Sequence, residues 1–156
     1  MKRNAKVLYA ELSFDALPVT ETSDLFKRAE HEGPDGGRQV TFVYDDFDCP
    51  CKGNSRGAGF EVFEAYLRKE IEEKFTDEIL RLGRLGSFPR LHFSLATGNA
   101  TCSNTEVSRE MIRMLARKDM SLGMTFAAES RGGEVKMEFP ASLIKYLAKY
   151  QFAVAF

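Results

Sequence analysis

The chain has no tryptophan, only two histidines and only three cysteines in 156 residues. Three thiols, Cys49, Cys51 and Cys102, are too few and too odd in number for a disulfide framework, and a reducing compartment is the simplest setting for them. No apolar run approaches the roughly 20 residues needed to span a bilayer. The opening stretch carries Glu11 inside a broken apolar run, which is not the pattern of a signal peptide. These absences lead to the expectation of a cytoplasmic protein without membrane contact. A basic excess is missing too: 22 Lys+Arg stand against 23 Asp+Glu, a net charge of −1. A domain dedicated to polyanions shows such an excess, so the balance argues against nucleic acid.

What is present is a core. Hydrophobic residues make up 44% of the chain and 13 of them are phenylalanine. A chain of this length buries roughly 70% of its unfolded surface, and one α+β domain over residues 1–156 accommodates it.

Periodicity places the elements. Leu8, Ala10, Leu12 and Phe14 alternate with polar partners, as in a half-buried strand. Pro18 and Thr20 open a polar helix to about Glu30, with Leu25, Phe26 and Ala29 as its apolar side. Gly33 to Gly37 is a turn, and Val40, Phe42 and Tyr44 mark a second strand. The strongest helical signal is the stripe Phe60, Phe63, Leu67, Ile71, Phe75, Ile79 and Leu82, spaced by three or four. Thr76-Asp77 marks a kink in it. Leu91, Phe93 and Leu95 then alternate as a strand, with Gly98 to Thr105 a polar loop.

One stretch is written twice within the C-terminal third. A shift of 32 positions puts Ile112 on Ile144, Leu115 on Leu147, Ala116 on Ala148, Arg117 on Lys149 and Met120 on Phe152. Each copy reads as an amphipathic helix followed by an alternating strand. Ser108 is a good N-cap for the first helix, and Pro140 suits the first turn of the second. Met120, Leu122, Met124 and Phe126 follow the first helix; Phe152, Val154 and Phe156 follow the second. Val135, Met137 and Phe139 form a strand between them. From Leu91 the order is β-α-β-β-α-β, so a ferredoxin-like unit is expected over residues 91–156. An N-terminal β-α-β and the long helix extend it, giving one mixed sheet.

The strands of the two copies carry small residues opposite their large apolar ones: Ser121, Gly123 and Thr125 in the first, Ala153 and Ala155 in the second. A solvated face is usually longer-chained and more polar. Either a helix or second sheet packs there, or a ligand or partner does. His92 falls on the same polar side of its strand, near Ser94. The aromatic residues of these strands share a face with Leu, Val and Met, which suits core packing better than stacking on RNA bases.

Two loops carry other candidate chemistry. Asp45, Asp46 and Asp48 follow a strand and precede Cys49 and Cys51. Carboxylates so placed can hold Mg²⁺ or Ca²⁺, and the thiols with Cys102 and His31 or His92 would make a zinc site only if the fold gathers four ligands. The plain alternative is a solvated acidic turn. Lys52, Arg56 and Gly57 lie in a glycine-rich approach to the long helix, where backbone N–H groups can cradle an anion. That loop lacks the Walker and dinucleotide spacings and reads better as a flexible connector. No Gly-x-Ser-x-Gly is present, and no cofactor is expected.

Val107-Ser108-Arg109-Glu110-Met111, Leu115-Ala116 and Ser121-Leu122-Gly123-Met124, with Leu17-Pro18-Val19-Thr20 near the start, resemble an uncharacterised bacterial family, domain of unknown function 4279. The match runs over about Phe88 to Phe126. This chain departs from the family in having no tryptophan and in its second helix–strand copy. The resemblance implies a small intracellular α/β protein and no assigned reaction. In size and charge the chain is also similar to small bacterial immunity proteins. The leading expectation is therefore a non-enzymatic binding protein, of the immunity or inhibitor type, acting on a protein partner. The alternatives are a small-ligand regulatory domain that self-associates through its C-terminal edge strand, and a metal-dependent enzyme using the 45–51 loop.

Overall fold

The long helix fulfils its sequence pattern and organises everything around it. In the computed structural model, which describes residues 6–48, 59–97, 106–128 and 133–155, it runs as α1 (Gly59–Glu70), a π-helical turn (Ile71–Phe75) and α2 (Thr76–Gly83). All seven residues of the apolar stripe are buried. The irregularity lies just before the expected kink and has a side-chain cause. Thr76 Oγ1 donates to the carbonyls of Ile71 and Glu72, at 3.3 and 2.8 Å, taking over acceptors of the helical ladder at the π-turn.

The helices pack on a six-stranded mixed sheet. Its strands are β1 (Lys6–Pro18), β2 (Lys27–Glu32), β3 (Arg38–Tyr44), β4 (Phe88–Thr97), β6 (Ser121–Ala128) and β7 (Glu134–Phe139), in the order β2-β3-β1-β4-β6-β7. Only β4 and β6 run parallel; the other neighbours are antiparallel. Between them in the chain come β5 (Glu106–Val107) and α3 (Arg109–Arg117), and after β7 come α4 (Ala141–Lys149) and β8 (Val154–Ala155). Alternation sorts the faces as expected: Ala10, Leu12, Phe14, Val40, Phe42, Leu91, Phe93, Leu122 and Met124 are buried on the helix side. Phe60 of α1 meets Phe93 edge-on at 5.4 Å, and Phe75 lies 4.7 Å from Tyr44. Val135, at the outer edge strand, is exposed.

Two expectations are corrected. Residues 18–30 do not form a helix. They turn at Pro18 and then enter β2, which pairs with β3 from Lys27↔Val43 to Glu32↔Arg38. Only Phe26 of the expected apolar side is buried, packed 5.0 Å from Phe14 and 5.6 Å from Phe75. The hairpin turn decides the matter. Gly33 N donates to Gly37 O across the turn and Gly36 takes φ 81°, a conformation that suits glycine and sends the chain back on itself. The N-terminal part is thus three strands, not β-α-β.

The second correction concerns strand pairing from residue 91 onward. The β-α-β-β-α-β order is present, but its first two long strands, β4 and β6, are hydrogen-bonded neighbours, whereas the ferredoxin-like arrangement splits such a pair. The last strand, β8, leaves the main sheet and pairs with β5 in a two-stranded ribbon.

The repeat is real at the level of individual hydrogen bonds. Ser108 and Pro140 are both N-caps, with φ/ψ of −68/158° and −58/157°. Ile112 N donates to Ser108 O and Ile144 N to Pro140 O, at 3.1 and 3.0 Å. Both helices end in the same left-handed cap. Asp119 and Gln151 take φ 53° and 58°, and Met120 N→Leu115 O and Phe152 N→Leu147 O are both 2.9 Å. The strands then pair crosswise. Leu122↔Phe139 and Gly123↔Glu138 join β6 to β7; Val154↔Val107 and Ala155↔Glu106 join β8 to β5. Each pair becomes the other when one copy is exchanged for its 32-residue equivalent. Residues 106–155 thus carry an internal two-fold, with Ile112 and Ile144 both fully buried in helices that pack together.

Candidate binding face of the sheet

The helical segments that contact the sheet lie on its Leu/Phe side, so the side chains that alternate with that core define a second face. On β4 these are Arg90, His92 and Ser94. Their partners on β6 are Ser121, Gly123 and Thr125, paired Arg90↔Ser121, His92↔Gly123 and Ser94↔Thr125. On the other side of β4, Ser13, Glu11 and Tyr9 of β1 pair with Arg90, His92 and Ser94. Beyond β6, Glu138 of β7 is opposite Gly123.

These residues form one connected network. Arg90 Nε donates to Glu138 Oε2 at 3.3 Å, and Arg90 Nη2 also donates to Glu138 Oε1. Arg90 Nη2 lies 3.0 Å from His92 Nδ1, and His92 Nε2 lies 2.9 Å from Thr125 Oγ1. A guanidinium has only donors, so Nδ1 must accept, the proton sits on Nε2, and Thr125 Oγ1 accepts it. Burial, and then the nearby Arg90 charge, hold the His92 pKa below its ordinary value, in accord with a neutral ring. Tyr9 donates to Glu11 Oε2 at 2.9 Å, and burial with the Glu11 contact pushes its phenol up to about 12. Its ring centroid is 6.4 Å from that of His92.

Gly123 makes this network possible. Arg90 reaches across it to Glu138, and a Cβ at this position would stand 2.7 Å from His92 Nδ1 and collide with the Arg90 guanidinium. Both His92 nitrogens are engaged, so the ring holds its neighbours in place instead of presenting a free base. The face offers hydroxyls, a guanidinium and a carboxylate in fixed positions.

The sequence places Ser121, Gly123, Thr125 and His92 on a common face, and the structure brings these four together. It does not bring Ala153 and Ala155 to them: β8 belongs to the separate ribbon, so the small residues of the second copy lie elsewhere. Arg90, Glu138, Tyr9 and Glu11 are missed by sequence reasoning. Alternation alone puts Arg90 beside His92, but the reach to Glu138 depends on β6 lying between β4 and β7.

The described part of the acidic turn is tied to its neighbours by an ion pair and a backbone hydrogen bond. Lys27 Nζ binds Asp45 Oδ1 at 2.9 Å and approaches Asp46 at 3.7 Å, and this hydrogen bond holds the Asp45 carboxyl below its usual pKa. Asp48 N donates to Tyr66 Oη at 3.2 Å. His31, on the edge strand, bonds Thr41 Oγ1 at 2.8 Å. Among the described residues no group of three or more His, Cys, Asp or Glu side chains is placed to hold a metal, and no helix is long and apolar enough to cross a membrane. Cys49, Cys51, Lys52, Arg56, Gly57 and Cys102 lie outside the described residues.

No protein-family model matches the chain, and the searches of curated proteins and of solved structures found no similar protein.

Proposed function

We propose that this chain is a binding protein of the immunity or inhibitor type, acting on a protein partner through the sheet face around Gly123. The observation that carries the reading is the pre-set network Glu138–Arg90–His92–Thr125, laid over a glycine on the face away from the helices. Polar groups already held by one another lose little freedom on binding, so directional contacts to a partner form at small entropic cost. Short side chains at Ser94 and Ser121 let a partner backbone or a protruding side chain come close. Strand addition at the outer strands β2 and β7 is a further route by which a partner or a second copy would attach.

The test is affinity capture with the wild-type chain against Ser121→Arg and against Lys136→Glu, the β7 residue paired with Thr125, both checked for unaltered thermal unfolding. A partner enriched by the wild type, rebuilt as a saturable complex from purified components and weakened about ten-fold or more by the face variants, is the expected result. A partner bound equally by all three chains would overturn the reading.

A further inference from the structure

The internal two-fold exposes an asymmetry. On α4 and its cap, Leu143, Tyr146, Tyr150 and Phe152 are 37, 55, 52 and 51% exposed. The three aromatic rings form a ladder, with centroids 4.9 Å apart for Tyr146–Tyr150 and 6.4 Å for Tyr150–Phe152. Their equivalents 32 residues earlier are Met111, Met114, Lys118 and Met120, none more than 7% exposed. The first set is open where the second is covered.

The long helix follows α3 from end to end. Glu64 accepts from Ser108 N at 3.0 Å and from Ser108 Oγ, at the start of α3. Glu72, about two turns further on, accepts from Arg117 Nη2 at 3.0 Å and Lys118 Nζ at 3.1 Å, at its end. Arg68 and Glu72 wall a groove of about 320 Å³ with Met114, Arg113 and Arg117. Leu67 and Ile71, between the two carboxylates, are fully buried. The α3 face is thus a seat for an amphipathic helix with a carboxylate at its far end.

We propose that the outer face of α4 is the same kind of seat, and that its occupant is an amphipathic, acidic α-helix of a partner protein. The caps and spacing of α4 repeat those of α3. Its charges fit as well. The helix Ala141–Lys149 carries two lysines and no acid. Lys149 stands where Arg117 stands in the first copy; its Nζ lies 5.5 Å from the Tyr150 ring centroid, and among the described residues no carboxylate pairs with it. Lys145 is engaged by Asp119. The expected helix therefore presents apolar residues at i, i+3 or i+4, and i+7, and an acidic residue opposite Lys149. Pro140 has no N–H, so the counterpart of Glu64 is dispensable. A second copy is a poor occupant: two α4 faces would set lysines against lysines, and the long helix of that copy is already seated on its own α3. Residues 49–58 and 98–105 are polar with no apolar stripe of helical spacing. This seat is separate from the sheet face and does not depend on it.

The probe is a synthetic peptide of residues 59–83, the helix that the first copy already accepts, titrated onto the full chain. Saturable binding below about 1 mM is expected, weakened about ten-fold by Tyr146→Asp or Phe152→Asp in the chain and unaffected by Ser121→Arg on the sheet face. Lys149→Glu in the chain weakens the wild-type peptide, and Glu72→Lys in the peptide restores it. Absence of saturation would overturn the proposal. So would binding indifferent to the α4 variants, which would place the peptide on α3, or sedimentation showing a dimer that Tyr146→Asp dissolves, which would make a second copy the occupant.

Discussion

Residues 106–123 and 138–155 are near-equivalent in local structure and opposite in surroundings. Both fold as strand, cap, helix, left-handed cap and strand, with matching dihedral angles and hydrogen bonds. The first copy is enclosed by the long helix and its strand β6 has a hydrogen-bonded neighbour on each side in the main sheet; the second presents an aromatic face, and β8 ends in a two-residue ribbon. Local signals that act over three or four residues reproduce the same unit twice. Burial belongs to whatever packs on it.

The comparison can be broken at its centre. Ile112→Ala and Ile144→Ala each remove a fully buried side chain, and each is expected to cost about 2–5 kcal/mol in urea unfolding. The Ile112 change should be the larger, because the long helix limits how far that site can collapse. Equal or inverted costs would contradict the asymmetry. Next comes the N-cap. Glu64→Ala leaves Ser108 N–H without its carboxylate and is expected to cost about 1–3 kcal/mol, whereas the second copy needs no such partner. Burial raises the Glu64 pKa above its ordinary value despite the opposing Ser108 bonds. Its contribution is therefore greatest below the unfolded pKa and declines as pH rises through the folded one. Glu64→Gln should flatten that acid-range slope in a series of denaturation curves.

The polar network joins β4, β6 and β7 of the main sheet and has no counterpart on the β5–β8 ribbon among the described residues, and pH tests it. The His92 pKa is lowered by burial and by Arg90, so its contribution is present above the unfolded value of about 6.5 and is lost as pH falls through the folded value. Unfolding midpoints should drop below pH 6.5, and the difference between wild type and His92→Gln should isolate this effect from the opposite trend of Glu64. A pH-independent difference would mean that the ring is not held neutral. The smallest effect concerns the caps. Asp119→Gly and Gln151→Gly relieve a left-handed backbone and should each gain about 0.5–1 kcal/mol. The gain should be smaller at Asp119, which gives up Lys145. A loss at either position would show that the two caps are not alike.

Several features are legible in short-range spacing alone. The stripe Phe60 to Leu82, the cap at Ser108 and the alternation of β1, β3, β4 and β6 are of this kind, and each element forms where its pattern puts it. The candidate face is half legible. Alternation aligns His92 with Ser94 and Ser121 with Gly123, but nothing local reveals that β4 and β6 are neighbours or that Arg90 crosses Gly123 to Glu138. β2 escapes such reading because Lys27 to Glu32 is exposed at every position. A strand with no buried side has no alternation to detect, and its identity comes from the ladder to β3.

The amino-acid order by itself determined the long helix, the helices after Ser108 and Pro140, the twofold repetition and which side of each long strand is oily, because these follow from contacts a few residues apart. Tertiary structure decided which strands became neighbours, that β8 would join β5 outside the main sheet, and which copy would be covered by the long helix. Those outcomes depend on hydrogen bonds and packing between segments tens of residues apart, where chain connectivity and the competition for a shared core outweigh local preference.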